Sequence, residues 1–232
     1  MALDDQVLVA LMRLRLGLLL HDLSFRFEVS TDAVSRVFGC IVSELASFTR
    51  KYLGFWLARD TIKRTLPDVF VDYQSVTCII DCFELFMERP TNLNRRSTTY
   101  SQYKSHNTAK VLHVIAHNGF VMSISIPYGG RPSDRFITSD SGVVKLLAPG
   151  DEILADRGFT ISDIIPVGVK LALRSFSKGR PQIGVPEVVA SRRLARLRIH
   201  VERSIRRLKC FRILKHFPSS IFAKKPLAKM FL

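Results

Sequence analysis

The chain has 232 residues, 47% of them hydrophobic, a formal net charge of +15 and a pI of about 10.1. That length supports one sizeable core with a small satellite domain. The charge makes the chain repel itself unless a polyanion screens it, which points to nucleic acid ahead of an anionic membrane surface. The start MALDDQ is acidic where a secretory signal is basic, and no apolar run approaches the ~20 residues that cross a bilayer. Cys40, Cys78, Cys82 and Cys210 form no C-x-x-C pair. The expectation is therefore an intracellular chain with reduced, mostly buried thiols, no zinc and no membrane partner.

Residues 7–20, VLVALMRLRLGLLL, predict an apolar helix. Leu23, Phe25, Phe27 and Val29 frame a short second helix. Ser30, Thr31 and Asp32 offer cap oxygens for a third. Its apolar positions Val34, Val37, Phe38, Ile41 and Leu45 recur at helical spacing. Short helix, tight turn and capped helix is a helix-turn-helix pattern, with Ser35 and Arg36 facing outward near the start of the recognition helix. A plain three-helix bundle has the same pattern. Glu28 stands where the turn usually carries glycine, and its charge is unfavourable beside phosphates.

Residues 51–71 predict a connector with one short helix, ending at Pro67. SVTCIID (75–81) then begins a strand texture. KVLHVIAHNG and FVMSISIPYGG follow as a hairpin turning at His117, Asn118 and Gly119. Gly129 and Gly130 read as a turn that needs permissive φ. SDRFITSDSGVVKLL predicts a helix capped by Ser133; EILADRGF, a short strand ending at Asp156; KLALRSF, a further strand; SKGRPQIG, a loop. Residues 186–215 predict a long helix with Pro186 in its first turn. Its apolar stripe is Leu194, Leu197, Val201, Ile205 and Leu208, which leaves the arginines outside as a DNA-facing surface. This order of strands and helices predicts a mixed sheet with helices packed on it.

Asp81 closes the first strand, sharing a side with Ile79 and Phe83, while Cys78, Ile80 and Cys82 share the other. Asp156 closes a later strand and Glu202 lies on the long helix. Carboxylates at apolar positions need a compensating cation, backbone donors or a metal. Two readings stay open on spacing alone. The acids converge on divalent ions, which take oxygen ligands and support phosphodiester displacement. Alternatively the aspartates cap turns and Glu202 pairs with Arg198 and Arg206, at i−4 and i+4. His106 and His113 read as polar strand residues rather than ligands, and His200 points away from Glu202.

IIDCFE, YKSHNTAK, YGGRPSD, PGDEILADRGF and RRLARLRIHVERSIRRLKCFRIL, in this order, resemble the DDE-type transposase and endonuclease superfamily. The resemblance spans roughly residues 8–217 and is closest to the eukaryotic Harbinger-related group and the bacterial insertion-sequence transposases. It implies an RNase H-like fold: a mixed five-stranded sheet flanked by helices, preceded by a small all-α helix-turn-helix domain. The domains expected are residues 1–50 (helix-turn-helix), 51–71 (linker), 72–217 (catalytic) and 218–232 (a shortened tail). It implies a DDE triad at Asp81, Asp156 and Glu202 that binds two Mg²⁺ or Mn²⁺ ions, with Asp134 as the rival second acid. The 45 residues between Asp156 and Glu202 resemble the family's interval. Of the bacterial Y-x2-R-x3-E-x6-K signature, Arg198, Glu202 and Lys209 match, while Ala195 replaces the tyrosine. Phe83 stands where the family has a small polar residue.

The activity so implied is metal-dependent DNA cleavage with strand transfer. Ser35, Arg36, Arg198, Arg206 and Lys209 would contact DNA. A homodimer on paired DNA ends, an accessory DNA-binding protein and a nuclear location complete the expectation. The alternative is a transposase-derived DNA-binding protein that has lost catalysis.

Overall fold

A computed structural model describes residues 1–156, 158–173, 185–216 and 218–219. Three helices open it: α1 (Leu3–Leu16), α2 (Leu20–Arg26) and α3 (Thr31–Tyr52). α1 stops at Gly17, which takes φ +68° and donates its N–H to Arg13 O, a left-handed cap that glycine adopts cheaply. Ser30 caps α3 as expected, its hydroxyl accepting from the Ala33 N–H. Val9, Leu23 and Val34 form the buried centre of the three helices. The predicted α3 stripe loses burial along its length, and Leu45 is exposed. Glu28, in the turn between α2 and α3, holds φ +52°, a conformation glycine would adopt at less cost.

α4 (Arg59–Arg64) lies in the expected connector and a second, 3-10 helix (Asp68–Tyr73) runs past its end; both are anchored to the sheet. Ile62 is buried against one face of the sheet and Phe70 against the other. The Arg59 guanidinium pairs with buried Asp151 at 2.7 Å and donates to Ala148 O and Pro149 O. This fixes the turn ahead of β6, where Gly150 has φ +91°.

The strands are β1 (Val76–Phe86), β2 (Tyr100–Ser101), β3 (His106–Ile115), β4 (Val121–Ile124), β5 (Tyr128–Gly129), β6 (Glu152–Leu154) and β7 (Lys170–Ala172). The central order is β3-β1-β6-β7, with β3 antiparallel to β1 and the other two pairs parallel. β2, β4 and β5 each pair with successive stretches of β3. The result is a mixed, RNase H-like sheet whose outer position beside β3 is filled in pieces. The predicted hairpin is present: Ala116 and Phe120 close it and Gly119 takes φ +85°.

β1 runs five residues past Asp81, which therefore lies mid-strand opposite His113 rather than at a strand end. The apolar alternation continues through Phe83 and Leu85, so the ladder has no reason to stop at the acid. Alternation still places its neighbours as expected. Ile79 and Phe83 pack beneath α7 (Val185–Lys209), while Cys78 and Ile80 pack on the opposite side with α4 and α6 (Asp134–Asp140). α7 begins one residue before Pro186, and Leu194, Leu197, Val201 and Ile205 are buried on the sheet.

Three expectations need correcting. Gly129 and Gly130 have no positive φ; they are small because the chain at 98–99 crosses them. A Cβ on Gly130 would meet Thr108 Oγ at 2.2 Å and Thr99 O at 2.8 Å. The thiols are free, but Cys40 and Cys210 are exposed rather than buried. Among the basic residues of 192–215, Arg198 is not outside, being 6% exposed. The loop predicted at 177–184, the end of the strand predicted at 170–176 and most of the tail from 218 lie outside the described residues. No helix among the described residues is long and apolar enough to cross a membrane.

Candidate active site

Asp81, Asp156 and Glu202 line one open cavity of about 750 Å³. The sheet supplies Asp81 from β1 and Asp156 from two residues past β6; α7 supplies Glu202. β1 and β6 run parallel side by side, so their C-terminal ends open on the same side of the molecule. α7 crosses above, because its apolar stripe is buried on the face that Asp81 shares with Ile79 and Phe83. Arg198, Arg206 and Lys209 line the same cavity.

Arg198 is the organising cation. One guanidinium nitrogen lies 3.0 Å from Asp156 and the other 3.4 Å from Asp81. Its arrangement replaces the i+4 pairing with Glu202 that helical spacing allowed; among the described residues Glu202, which is exposed, has no ion pair. Arg198 thus ties Asp156, not Asp134, to Asp81. Burial pushes the Asp81 carboxyl up to about 6, against the pull of Arg198 and the Cys82 N–H, and the charges of Asp156 and Asp134 add to the rise.

Asp134 is in the cavity too, at the first turn of α6, where Ser133 caps the helix. Lys110 on β3 approaches it at 2.6 Å. Lys110, Lys104, Tyr103 and Glu84 were not singled out from the sequence. The β1–β3 register, which sets Glu84 opposite Lys110, is the signal that brings them here. Phe83 packs under α7, and the Lys209 ammonium lies 5.7 Å from its ring centre. The aromatic ring therefore places Lys209 at the cavity wall. Burial, followed by the nearby Lys104 charge, lowers the Lys209 pKa.

His113 is fully buried, its Nε2 2.8 Å from Ser204 Oγ on α7, and burial pushes its pKa down to about 4. It is a neutral strut between β3 and α7, in line with its reading as a strand residue. His200 packs against Phe70, away from the cavity. Ser35 and Arg36 are exposed on the first turns of α3 and do not line the cavity.

Residues 80–231 match the family described as DDE superfamily endonuclease, and residues 1–47 match the helix-turn-helix of DDE superfamily endonucleases. The chain belongs to the DDE superfamily endonucleases. The family match begins one residue before Asp81 and takes in Asp156 and Glu202; the second match covers α1, α2 and most of α3. No curated protein and no solved structure matches the chain.

Divalent metal use is general in this family, and the donor set suits it: carboxylates are hard oxygen donors and a cation already sits between two of them. The fit is that of a pair. Among the described residues, no three His, Cys, Asp or Glu side chains form a group that could hold a metal ion. Asp81 and Asp156 are drawn together by Arg198, while Glu202 stands apart on the helical wall.

Proposed function

We propose that this DDE superfamily endonuclease cleaves DNA phosphodiester bonds with the help of Mg²⁺ or Mn²⁺. Asp81 and Asp156 would hold the cation and Glu202 would complete a second site. The observation that carries the reading is the pairing of Asp81 and Asp156 through Arg198 in a cavity that Glu202, Arg206 and Lys209 also line. When bound, divalent ions supply charge stabilisation to the phosphoryl oxygens and an activated water.

The chain's own residues do the rest. Asp81 lies on β1 and Asp156 two residues past the neighbouring parallel strand β6, and Arg198 contacts both carboxylates. Arg206 and Lys209 face the cavity and would hold the DNA backbone as charge-assisted donors. Arg198 neutralises the acid pair and would share that role with a bound cation or a DNA phosphate. Ser35 and Arg36 on α3 would read DNA in a groove, leaving the cavity for chemistry. Strand transfer by the freed 3′-OH, a two-ion site and a paired-end dimer extend the same proposal, as does nuclear location for a Harbinger-related chain.

The test is nicking of supercoiled plasmid with Mg²⁺ or Mn²⁺. Asp81→Ala and Asp156→Ala are expected to lose ~10³-fold or more of the rate, by analogy with removal of charge-stabilising groups elsewhere. Equal activity in wild type and Asp81→Ala would reject the assignment. A second reading is a DNA-binding protein without catalysis. It is favoured by Arg198, which gives both aspartates a counter-charge from the chain itself. That reading requires salt-sensitive DNA binding and no cation-dependent nicking by wild type.

A further inference from the structure

A second cavity, of about 660 Å³, lies on the other side of the β2–β3 hairpin. Arg89, Arg96, Arg131 and His106 line it, and among the described residues no Asp or Glu does. Among the described residues none of the three arginines is paired with a carboxylate. Arg96 donates to Pro90 O at 3.2 Å and Arg131 to Ser97 Oγ at 3.3 Å. Each bond uses one of five guanidinium donors on a neutral acceptor, which steadies the side chain and leaves its charge unspent.

The cavity has a built floor. Gly129 and Gly130 let the end of α5 (Leu93–Thr99) lie directly on the sheet; a Cβ on Gly129 would come within 2.4 Å of Thr98 O. The buried Asn107 amide donates to Arg96 O and Thr99 Oγ, both at 2.9 Å. Arg96 is thus held on a helix fastened to β3. A solvated surface run of arginines needs no such fastening.

The hairpin turn links this cavity to the acidic one. Gln102 and Ser105 line the basic side, while Tyr103 and Lys104 line the acidic side. Tyr103 is 83% exposed with the Lys104 ammonium 4.3 Å from its ring centre. An exposed ring beside cations is a stacking platform for a base, and grouped arginines without acids fit a phosphate backbone.

We propose that the Arg89–Arg96–Arg131 cavity is a second nucleic-acid site, which grips phosphates of the DNA flanking the scissile bond while Tyr103 stacks on a base at the ridge. This rests on the DNA-cleavage reading above. The strand would pass from the acid cavity over the hairpin turn into the arginine cavity, with Lys104 bridging the two.

The test measures fluorescence anisotropy of a labelled ~30-base-pair duplex carrying a single-stranded flank, across KCl concentrations, with the full chain. The triple variant Arg89→Gln/Arg96→Gln/Arg131→Gln should flatten the slope of log K against log salt by about 2–3, at ~0.9 per phosphate. Affinity at moderate salt should fall on the order of tenfold. Replacing the same three by lysine should keep the slope. A wild-type slope in the glutamine variant overturns the proposal and leaves the DNA reading standing. Absence of any salt-sensitive binding by wild type overturns both. Photocrosslinking of wild type to 5-iodouracil in the flank needs no variant: adducts on Tyr103 or Tyr100 support the site, and adducts confined to α3 and α7 overturn it.

Discussion

In the acidic cavity three of the carboxylates face partners from the chain itself. Arg198 lies against Asp81 and Asp156, and Lys110 against Asp134. Across the hairpin turn, Arg89, Arg96 and Arg131 have neutral neighbours or none among the described residues. The difference follows from position. Asp81 lies within the sheet beneath a helix, where an unpaired carboxylate is costly, so the fold must carry its counter-charge. The arginines stand at an open rim, where water tolerates unpaired charge until a polyanion arrives. On the readings proposed above, one cavity would be entered by exchange of cations and the other by addition of an anion.

Five substitutions break or sharpen that contrast. The largest effect is expected from Arg198→Gln, which strips the acidic cavity of its own cation. Stability in the absence of divalent ions should fall by ~2–4 kcal/mol, less than a fully buried pair because Asp156 is 45% exposed. Millimolar Mn²⁺ should restore part of it; denaturant melts with and without the ion give the answer. Next is Gly130→Ala, which drives a Cβ into Thr108 and the 98–99 backbone. A loss of ~1–3 kcal/mol is expected. DNA affinity should weaken with it, since the floor under Arg96 shifts.

The third effect is one of pH. Asp81 has its folded pKa raised to about 6 from 3.8, so the folded state holds the extra proton between those values. Its contribution makes stability fall as pH rises through pH 4 to 6. His113 and His117 work the other way. Burial lowers each from 6.5 to about 4, so the unfolded state holds the extra proton and stability rises with pH across 4 to 6.5. The two trends oppose each other in wild type. Asp81→Asn should therefore steepen the rise in stability from pH 4 to 6, and His113→Gln should flatten it, as read from urea midpoints at each pH. The same Asp81 carboxyl predicts that cation-dependent nicking declines below pH 6. The smallest effect is expected from Lys209→Met, which removes one exposed cation over Phe83 and should shift the DNA salt slope by about 0.9.

Helical and strand periods made much of this arrangement legible. Ser30 and Ser133 as caps, the Asn118–Gly119 turn, the buried stripe of α7 and the two sides of β1 all follow from spacing and local chemistry. Asp81 and Asp156 stand out as carboxylates that interrupt apolar patterns, and the family resemblance adds Glu202. Their relations could not be read in the same way. Helical spacing offered Arg198 to Glu202, but the sheet beneath α7 presents Asp81 and Asp156 to the same guanidinium. Asp134 and Lys110 meet only because α6 packs beside β3.

The sequence by itself determined the alternation that buries one side of β1 under α7, the basic surplus that calls for a polyanion, and the order of the three acids along the chain. Tertiary structure alone decided which cation neutralises which acid, why Gly129 and Gly130 must be small, and that arginines with no carboxylate partner among the described residues gather beside the acidic cavity. Periodicity is a property of neighbours within a few residues, and local sterics enforce it. Charge pairing and close backbone approach depend on which distant segments the hydrophobic core draws together, and that is settled only when the sheet closes.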